Sequence, residues 1–496
     1  MAKICLCLTA KTIQRNLEIL NKYRKYADIA ELRVDCLDPD ERYLIRKFPG
    51  QAGLPVILTI RRAIDGGYFI GGEGSRVSLL ARGLAYAKAD RRLNFAYVDI
   101  EEDLNVPNLE EAARTFGTRI IRSWHSTEGD IDQIPEKISS MKCIGDDIIK
   151  IAVNAKSASD VAYMLKAARQ YKGKDKIFLC MGEYGTYSRI LTEQFKSYLS
   201  YSSALKENDI VSGAPGQTDI QDLTDLYQFR SINSKTRLYG ILSDTVNTHS
   251  PENDENRELI NLFNFSFKQD ELNAVFVPFP AVSAVDFMEL TKELNISGFL
   301  VNRSFCTDII PYVNEQSSEV LSSGACDTIS KTDAGWTGSN MSILAFSDLL
   351  LEFYGKKNIH RKKITLIGSS IFAWELACEL KKTGAKILVL NRNDKNAREL
   401  AVKYNFSWES MNFRGIERVK KFNDIIISAD LPEEGFSDPL EMYDFNGKEA
   451  VMDLRMNFKD SVLLKRAADA GCKVIDAAAM LARQIQYQYS QLKVMT

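Results

Sequence analysis

The chain has 496 residues, too many for a single hydrophobic core, so two or three domains are expected. Lys plus Arg number 64 against 66 Asp plus Glu, a balance that argues against a nucleic-acid or anionic-membrane surface as the main partner and favours small-molecule chemistry. Nine cysteines are scattered without a CxxC pair, several of them inside apolar runs (Cys5, Cys7, Cys180), which suggests reduced thiols with no zinc site or disulfide framework.

The apolar start Ile4–Leu8 is too short for a signal-peptide core, and no stretch approaches the roughly 18 apolar residues of a membrane helix, so a cytoplasmic protein is expected. Eight short apolar runs punctuate the first 215 residues, at 3–9, 29–35, 54–61, 94–101, 118–125, 147–153, 176–182 and 209–215. Most segments between them carry charge and helical periodicity, as in Leu80–Ala87. Strand and helix thus alternate eight times, the pattern of a (β/α)8 barrel.

Polar residues collect in or just after the later part of these runs: Glu31 and Arg33, Arg61, Asp99 and Glu101, His125, Lys150, Glu183 and Arg189, and Gln217. Such barrels build their active sites at the carboxyl ends of the strands, so residues scattered in sequence can converge there. Lys150 stands out because it interrupts the run Ile148-Ile149-Lys150-Ile151. An amine among aliphatics loses the hydration of its charged form, which favours the neutral nucleophile of an imine-forming lysine. A lysine snorkelling past its neighbours, or held in a buried ion pair, is the other reading.

Around Leu223 to Arg230 the pattern changes, and a new unit begins at Thr236. From residue 362 onward a doubly wound pattern follows, with strands at 363–368, 386–392, 424–428, 450–454 and 473–476 that predict a Rossmann-like sheet.

Six segments of the first half, taken in order, give it a specific resemblance: Glu31-Leu32-Arg33-Val34-Asp35, the stretch Thr59 to Gly67, Ser123-Trp124-His125, Lys150 in its strand, Met181-Gly182 followed by Ser188-Arg189, and Ala214-Pro215-Gly216-Gln217. Residues 1–225 resemble a type I 3-dehydroquinate dehydratase. The resemblance implies dehydration of 3-dehydroquinate without a cofactor, through a Schiff base on Lys150, with His125 as general acid/base. It also implies that Arg189 clamps the substrate carboxylate and that Glu31, Arg33, Arg61 and Gln217 contact hydroxyls or carboxylate. Two positions depart from the family. Asp65 stands where a glutamate pairs with the histidine, and Gly213 stands where the family's turn has serine, with Ser212 one residue earlier as the remaining hydroxyl.

Residues 235–496 resemble shikimate dehydrogenase, on Tyr239-Gly240-Ile241, Ser250-Pro251, Asn273 to Phe279, Ser297-Gly298-Phe299, Gly324-Ala325 with Thr328, Gly338 with Asn340, Asn391-Arg392 and Gln484. The order of the two halves resembles the bifunctional fusions of plants and some bacteria. The resemblance divides the second half into a substrate domain, 235–345 with a C-terminal helix 477–496, and a dinucleotide domain, 346–476. It implies NADP as cofactor, held at Gly368, Asn391 and Arg392. The reactive positions depart: Cys306 stands where a lysine is expected and Ser342 where an aspartate is expected. The stretch Asn247 to Pro251 is one residue short, and the turn Gly368-Ser369-Ser370-Ile371-Phe372-Ala373-Trp374 keeps one glycine only, against a pyrophosphate cradle.

The expected protein is therefore an active dehydratase of the shikimate pathway fused to an inactive dehydrogenase-like half. The alternatives are a fully bifunctional enzyme that also reduces 3-dehydroshikimate with NADPH, a second half that binds, regulates or stabilises, and another class I lyase such as an aldolase.

Overall fold

The computed structural model describes residues 2–84, 90–211, 213–244, 254–354, 359–430, 438, 440–455 and 461–494. Contacts divide the chain into two compact units, Met1–Ser297 and Gly298–Thr496. Among the described residues no helix is long and apolar enough to cross a membrane.

The first unit opens with eight parallel strands: β1 (Lys3–Leu8), β2 (Ile29–Arg33), β3 (Val56–Thr59), β4 (Tyr97–Glu101), β5 (Arg119–Ser126), β6 (Ile148–Asn154), β7 (Lys176–Met181) and β8 (Leu199–Ser203). They lie in the order 7-6-5-4-3-2-1-8, with the short β9 (Thr218–Asp219) beyond β8. The sheet curls as a barrel does, but no ladder joins β7 to β8. Instead the Tyr198 N–H donates to the Lys176 carbonyl. Ser197 Oγ accepts from the Phe178 N–H at 2.9 Å and donates to its carbonyl at 3.0 Å. Ser188 Oγ does the same for Cys180. Side-chain hydroxyls thus satisfy the free edge of β7, where buried peptide groups would otherwise lack partners.

The eighth strand is not the apolar run expected at 209–215. It is Leu199-Ser200-Tyr201-Ser202-Ser203, all buried. Hydropathy misses it because its three serines are buried with their hydroxyls bonded: Ser200 donates to the Arg189 carbonyl, Ser202 to the Cys5 carbonyl, and Ser203 to Gln217 Oε1.

Inside the barrel the side chains follow the strand period of two. Cys5, Ile29, Ile57, Tyr97, Ile121, Ile148, Ile177 and Leu199 make an apolar floor. One step toward the carboxyl ends the series turns polar, with Glu31, Thr59, Asp99, Ser123 and Lys150 all buried. The polar layer is affordable only because its members pair with one another.

The first unit continues into the parallel pair β10 (Arg237–Ser243) and β11 (Ala274–Pro280). Helix Ala284–Glu293 sends Asp286 to the barrel. Its carboxylate accepts the Ala158 N–H at 2.9 Å and the Ser159 N–H at 2.7 Å, the first amides of the helix that follows the Lys150 strand. Phe279 packs edge-on against Tyr187 with centroids 5.4 Å apart, and Arg257 grips Asp222 with two bonds.

At the start of the second unit β12 (Ile296–Val301) runs antiparallel to β14 (Thr328–Thr332), which pairs antiparallel with β15 (Gly335–Ser339). The two-residue β13 (Glu315–Gln316) adds to β15 in parallel. Then comes an all-parallel sheet of β16 (Lys363–Ile367), β17 (Lys386–Asn391), β18 (Ser407–Ser410), β19 (Ile425–Ser428), β20 (Ala450–Asp453) and β21 (Lys473–Asp476). Its order is 18-17-16-19-20-21, the doubly wound order in which ligands bind where the winding reverses, beyond β16 and β19.

Candidate active site

A pocket of about 130 Å³ opens at the carboxyl ends of the barrel strands. Glu31, Arg33, Arg61, Asp65, His125, Lys150, Arg189 and Gln217 all line it, together with Asn154, Met181, Tyr201 and Gly213 to Pro215. Every barrel residue given a role by the resemblance is therefore at this pocket, apart from Ser212, which lies outside the described residues; Asp99, Glu101 and Glu183, also named among the strand-end polar residues, do not line it.

Lys150 comes from the middle of β6. Its Nζ is 2.9 Å from Asp99 Oδ2 and stands 4.3 Å above the Tyr201 ring. The lysine is thus in a buried ion pair. Asp99 Oδ1 takes Ser123 Oγ at 2.5 Å and lies 2.8 Å from the Arg61 guanidinium. Burial by itself would raise the Asp99 carboxyl, but Arg61 and then Lys150 hold it well below the usual carboxylate range. Arg61 also bonds Glu101 at 2.6 Å, and Glu101 is completed by Arg76 at 2.5 Å. The site stands on a chain of alternating charges buried together, which low dielectric makes strong when complete and costly when broken.

His125 lies two residues beyond Ser123 on β5, and Ser123 pairs across with Lys150, so the two side chains are diagonal neighbours on the inner face. Burial first, then the nearby Arg61 and Lys150 cations, push its pKa well below 6.5. The ring is a neutral base, and among the described residues its buried Nδ1 has no hydrogen-bond partner. Asp65 does not supply that partner. Its Oδ2 accepts from Arg62 Nε at 2.6 Å, while the guanidinium of Arg62 also holds Asp103. An aspartate, one methylene shorter than the expected glutamate, stays with the arginine three residues away.

Arg189 is 2% exposed. Among the described residues its buried Nε has no partner and no carboxylate pairs with it, while a second guanidinium nitrogen reaches the Pro215 carbonyl at 3.3 Å. Burial lowers its pKa to about 10, which leaves it cationic near neutrality. A buried planar cation facing a cavity, with no counter-ion among the described residues, has the geometry and charge to accept an anion such as a carboxylate.

The other two arginines expected to contact substrate are engaged, Arg61 with Asp99 and Glu101. Arg33 forms a two-pronged pair with Asp35 at 3.0 and 2.7 Å and donates to the Gly213 carbonyl at 2.7 Å. Glu31 accepts from Thr59 Oγ1 at 2.8 Å. Gln217 Nε2 donates to Cys7 Sγ at 3.3 Å. The glycine at 213 has a local cause, since a Cβ there would fall 2.6 Å from Gln217 Oε1. Sequence reasoning named Asp99 only as one polar strand end among several. Its spacing from Glu101 was the available signal, but not its pairing with Lys150.

In the second unit Cys306 is buried and its Sγ donates to the Arg303 carbonyl at 3.1 Å. Burial, then Glu375, raises the thiol to about 11, so it carries no thiolate near neutrality. Ser342 Oγ donates at 2.5 Å to Asp327, whose carboxylate also takes the Met341 and Ser342 N–H groups at 2.8 Å each. A carboxylate is thus beside Ser342, spent on the N-terminus of helix Met341–Tyr354. Glu375 joins Arg303 at 2.8 Å to Asn340 at 3.1 Å, and burial raises its carboxyl. Asn391 Nδ2 donates to Ser369 Oγ at 2.8 Å, while Arg392 is exposed. Asn247 to Pro251 lie outside the described residues. Among the described residues no cluster of three His, Cys, Asp or Glu side chains could hold a metal ion.

Comparison with known proteins finds a family model in each half of the chain. The Type I 3-dehydroquinase family model matches residues 4–234, and the Shikimate / quinate 5-dehydrogenase model matches residues 352–437. A 3-dehydroquinate dehydratase of Methanocaldococcus jannaschii is 32% identical over 235 residues, 46% of this chain and 99% of that protein. A chloroplastic bifunctional 3-dehydroquinate dehydratase/shikimate dehydrogenase of Arabidopsis thaliana is 26% identical, over 99% of this chain and 82% of that protein. Among solved structures, the dehydroquinate dehydratase and shikimate dehydrogenase part of S. pombe AroM is 19% identical with a TM-score of 0.41, covering 100% of this chain and 96% of that one. The chain belongs to the type I 3-dehydroquinase family, with a segment of the shikimate/quinate 5-dehydrogenase family fused behind it.

Proposed function

We propose that residues 1–225 dehydrate 3-dehydroquinate to 3-dehydroshikimate through a Schiff base on Lys150, and that residues 235–496, as a substrate domain (235–345 with 477–496) and a dinucleotide domain (346–476), have lost hydride transfer. The observation that carries the first part is that one pocket joins Lys150, a neutral His125 with a bare Nδ1, and an Arg189 without a counter-ion.

The substrate carboxylate docks on Arg189, which fixes the ring over Lys150. Lys150 must shed a proton before it can attack, and His125, held neutral, takes it. The amine adds to the ketone, His125 returns its proton to the carbinolamine hydroxyl, which leaves as water, and the iminium that results acidifies the neighbouring carbon. His125 removes a proton from that carbon and delivers it to the hydroxyl on the next one, which leaves as water as the enamine collapses, and hydrolysis of the conjugated iminium frees Lys150. Arg61 touches no reacting atom in this scheme and orients Asp99. The Asp99 carboxylate bonds the reacting Lys150 Nζ at 2.9 Å, holds it at the pocket and stabilises the cationic iminium formed there.

Borohydride added during turnover with 3-dehydroquinate should give a reduced adduct whose mass maps to Lys150. Absence of that adduct, or an unchanged rate in Lys150→Ala, would remove the proposal.

For the second half, the support is a protonated Cys306 where a proton-donating lysine is expected, and a Ser342 already bound to Asp327. Shikimate-dependent reduction of NADP+ by the full chain would instead favour the bifunctional reading. Asp286 favours a structural use of the second half, since it caps the helix behind the Lys150 strand.

A further inference from the structure

A dinucleotide fold uses the turn after its first strand to offer free backbone N–H groups to a pyrophosphate. In this chain those groups already hold an anion. Asp430, two residues past β19, reaches across to the turn after the neighbouring β16. Its Oδ2 accepts the Ser369 N–H at 2.5 Å and its Oδ1 accepts the Ser370 N–H at 2.9 Å. The hydroxyls of the turn are used as well: Ser369 Oγ accepts from Asn391 at 2.8 Å, and Ser370 Oγ caps the Ala373 N–H at 3.3 Å.

The retained glycine has the same explanation. Gly368 has φ +131°, and a Cβ on it would lie 2.5 Å from Asp430 Cγ. That glycine makes room for the aspartate, with no nucleotide required. Bulky neighbours are not the obstacle, because Phe372 is buried under the Arg303 guanidinium, 4.5 Å from its ring, and Trp374 packs on Tyr404 with centroids 6.1 Å apart. The residues present do not fit a dinucleotide: the donors are occupied, and the occupant carries the charge a phosphate would have to approach.

We propose that Asp430 is a built-in anion standing where a dinucleotide's pyrophosphate would stand, so that the second half binds no dinucleotide through this turn. A free phosphate must compete with a carboxylate tethered to the next strand, which is present at high effective concentration. The inference rests on the reading of the second half as devoid of hydride transfer and deepens it, because the cofactor loop is closed by one specific side chain.

The test is calorimetric titration of NADP+ and of inorganic pyrophosphate into the full-length wild type, Asp430→Gly and Asp430→Asn, with thermal melting alongside. Asp430→Gly should melt lower than wild type, regain stability when pyrophosphate is added, and bind NADP+ at least roughly tenfold more tightly than wild type. Asp430→Asn keeps an oxygen for the N–H groups without the charge, and should bind with intermediate affinity should the glycine variant fail to fold. Equal NADP+ affinity in wild type and both variants would overturn the assignment of Asp430. Turnover is a separate readout: shikimate-dependent reduction of NADP+ by wild type would overturn the loss of hydride transfer, whatever the titrations give.

Discussion

Lys150 Nζ and Asp99 Oδ2 are 2.9 Å apart in a layer of the barrel that is almost wholly withdrawn from water. Asp99 serves two cations at once, since its other oxygen meets Arg61 at 2.8 Å. Removing it takes from Lys150 the carboxylate it pairs with and leaves Arg61 with Glu101, which Arg76 also holds. Asp99→Ala should therefore lose about 3–5 kcal/mol of stability in chemical denaturation, and adding Lys150→Met should recover part of that loss. Because the folded carboxyl lies below its ordinary value, its contribution is complete above the unfolded pKa of about 4 and disappears as pH falls through the lower folded value. A denaturation midpoint for Asp99→Ala equal to wild type would show that the pair carries no stability.

His125 is depressed for a different reason, burial first and neighbouring cations second. A histidine that resists protonation stays a base in acid, so the acid limb of kcat/KM should lie well below pH 6.5. Stability has the matching sign. Below the unfolded pKa of about 6.5 the unfolded chain takes up a proton that the folded ring refuses, so stability is full above that pH and declines as pH falls. His125→Ala should lose roughly 10²–10⁴-fold in kcat and should show a shallower decline of stability between about pH 6.5 and 5. An acid limb at pH 6.5 or above would mean that the ring is not held neutral.

The placement of Lys150 and His125 at the pocket was legible from sequence because each ends or interrupts an apolar strand, and that of Arg189 because it follows shortly after one, in the helix Thr186–Ile190; strand ends of a barrel meet in space. The barrel and the doubly wound sheet were legible because most of their strands are apolar runs; β18, Ser407-Trp408-Glu409-Ser410, carries no such run and was not expected. What escaped detection depends on partners far away along the chain. Asp99 meets Lys150 across 51 residues, and Asp430 meets Ser369 across 61, so no local pattern marks either contact. Strand β8 escaped because buried hydroxyls look polar in sequence and are satisfied only by the fold. Asp65 was expected beside His125, yet the local pull of Arg62 holds it.

Arg189 offers a buried cation with an unpartnered Nε at the pocket wall. If it receives the substrate carboxylate, Arg189→Ala should raise KM about 30-fold or more, the equivalent of a charged hydrogen bond of about 2 kcal/mol. Arg189→Lys should recover only part of this, because an ammonium cannot make the two-pronged contact. Steady-state kinetics with 3-dehydroquinate decide it, and a change confined to kcat would place Arg189 elsewhere in the reaction.

Asp286 tests whether the second half supports the barrel. Its carboxylate is 6% exposed and accepts two helix-terminal N–H groups from Ala158 and Ser159, with Ser159 Oγ at 2.6 Å. Asp286→Ala leaves those amides buried without an acceptor, which should cost about 2 kcal/mol. That helix follows directly from the strand bearing Lys150, so loosening its first turn loosens the anchor of the reactive amine. The variant should unfold at lower denaturant and should lose dehydratase activity at a lower temperature than wild type, while KM at low temperature stays unchanged. Asp286→Asn retains one oxygen for the amides and should recover about half the stability. If both variants denature as wild type does, the contact is incidental and the second half gives the barrel no support through this helix.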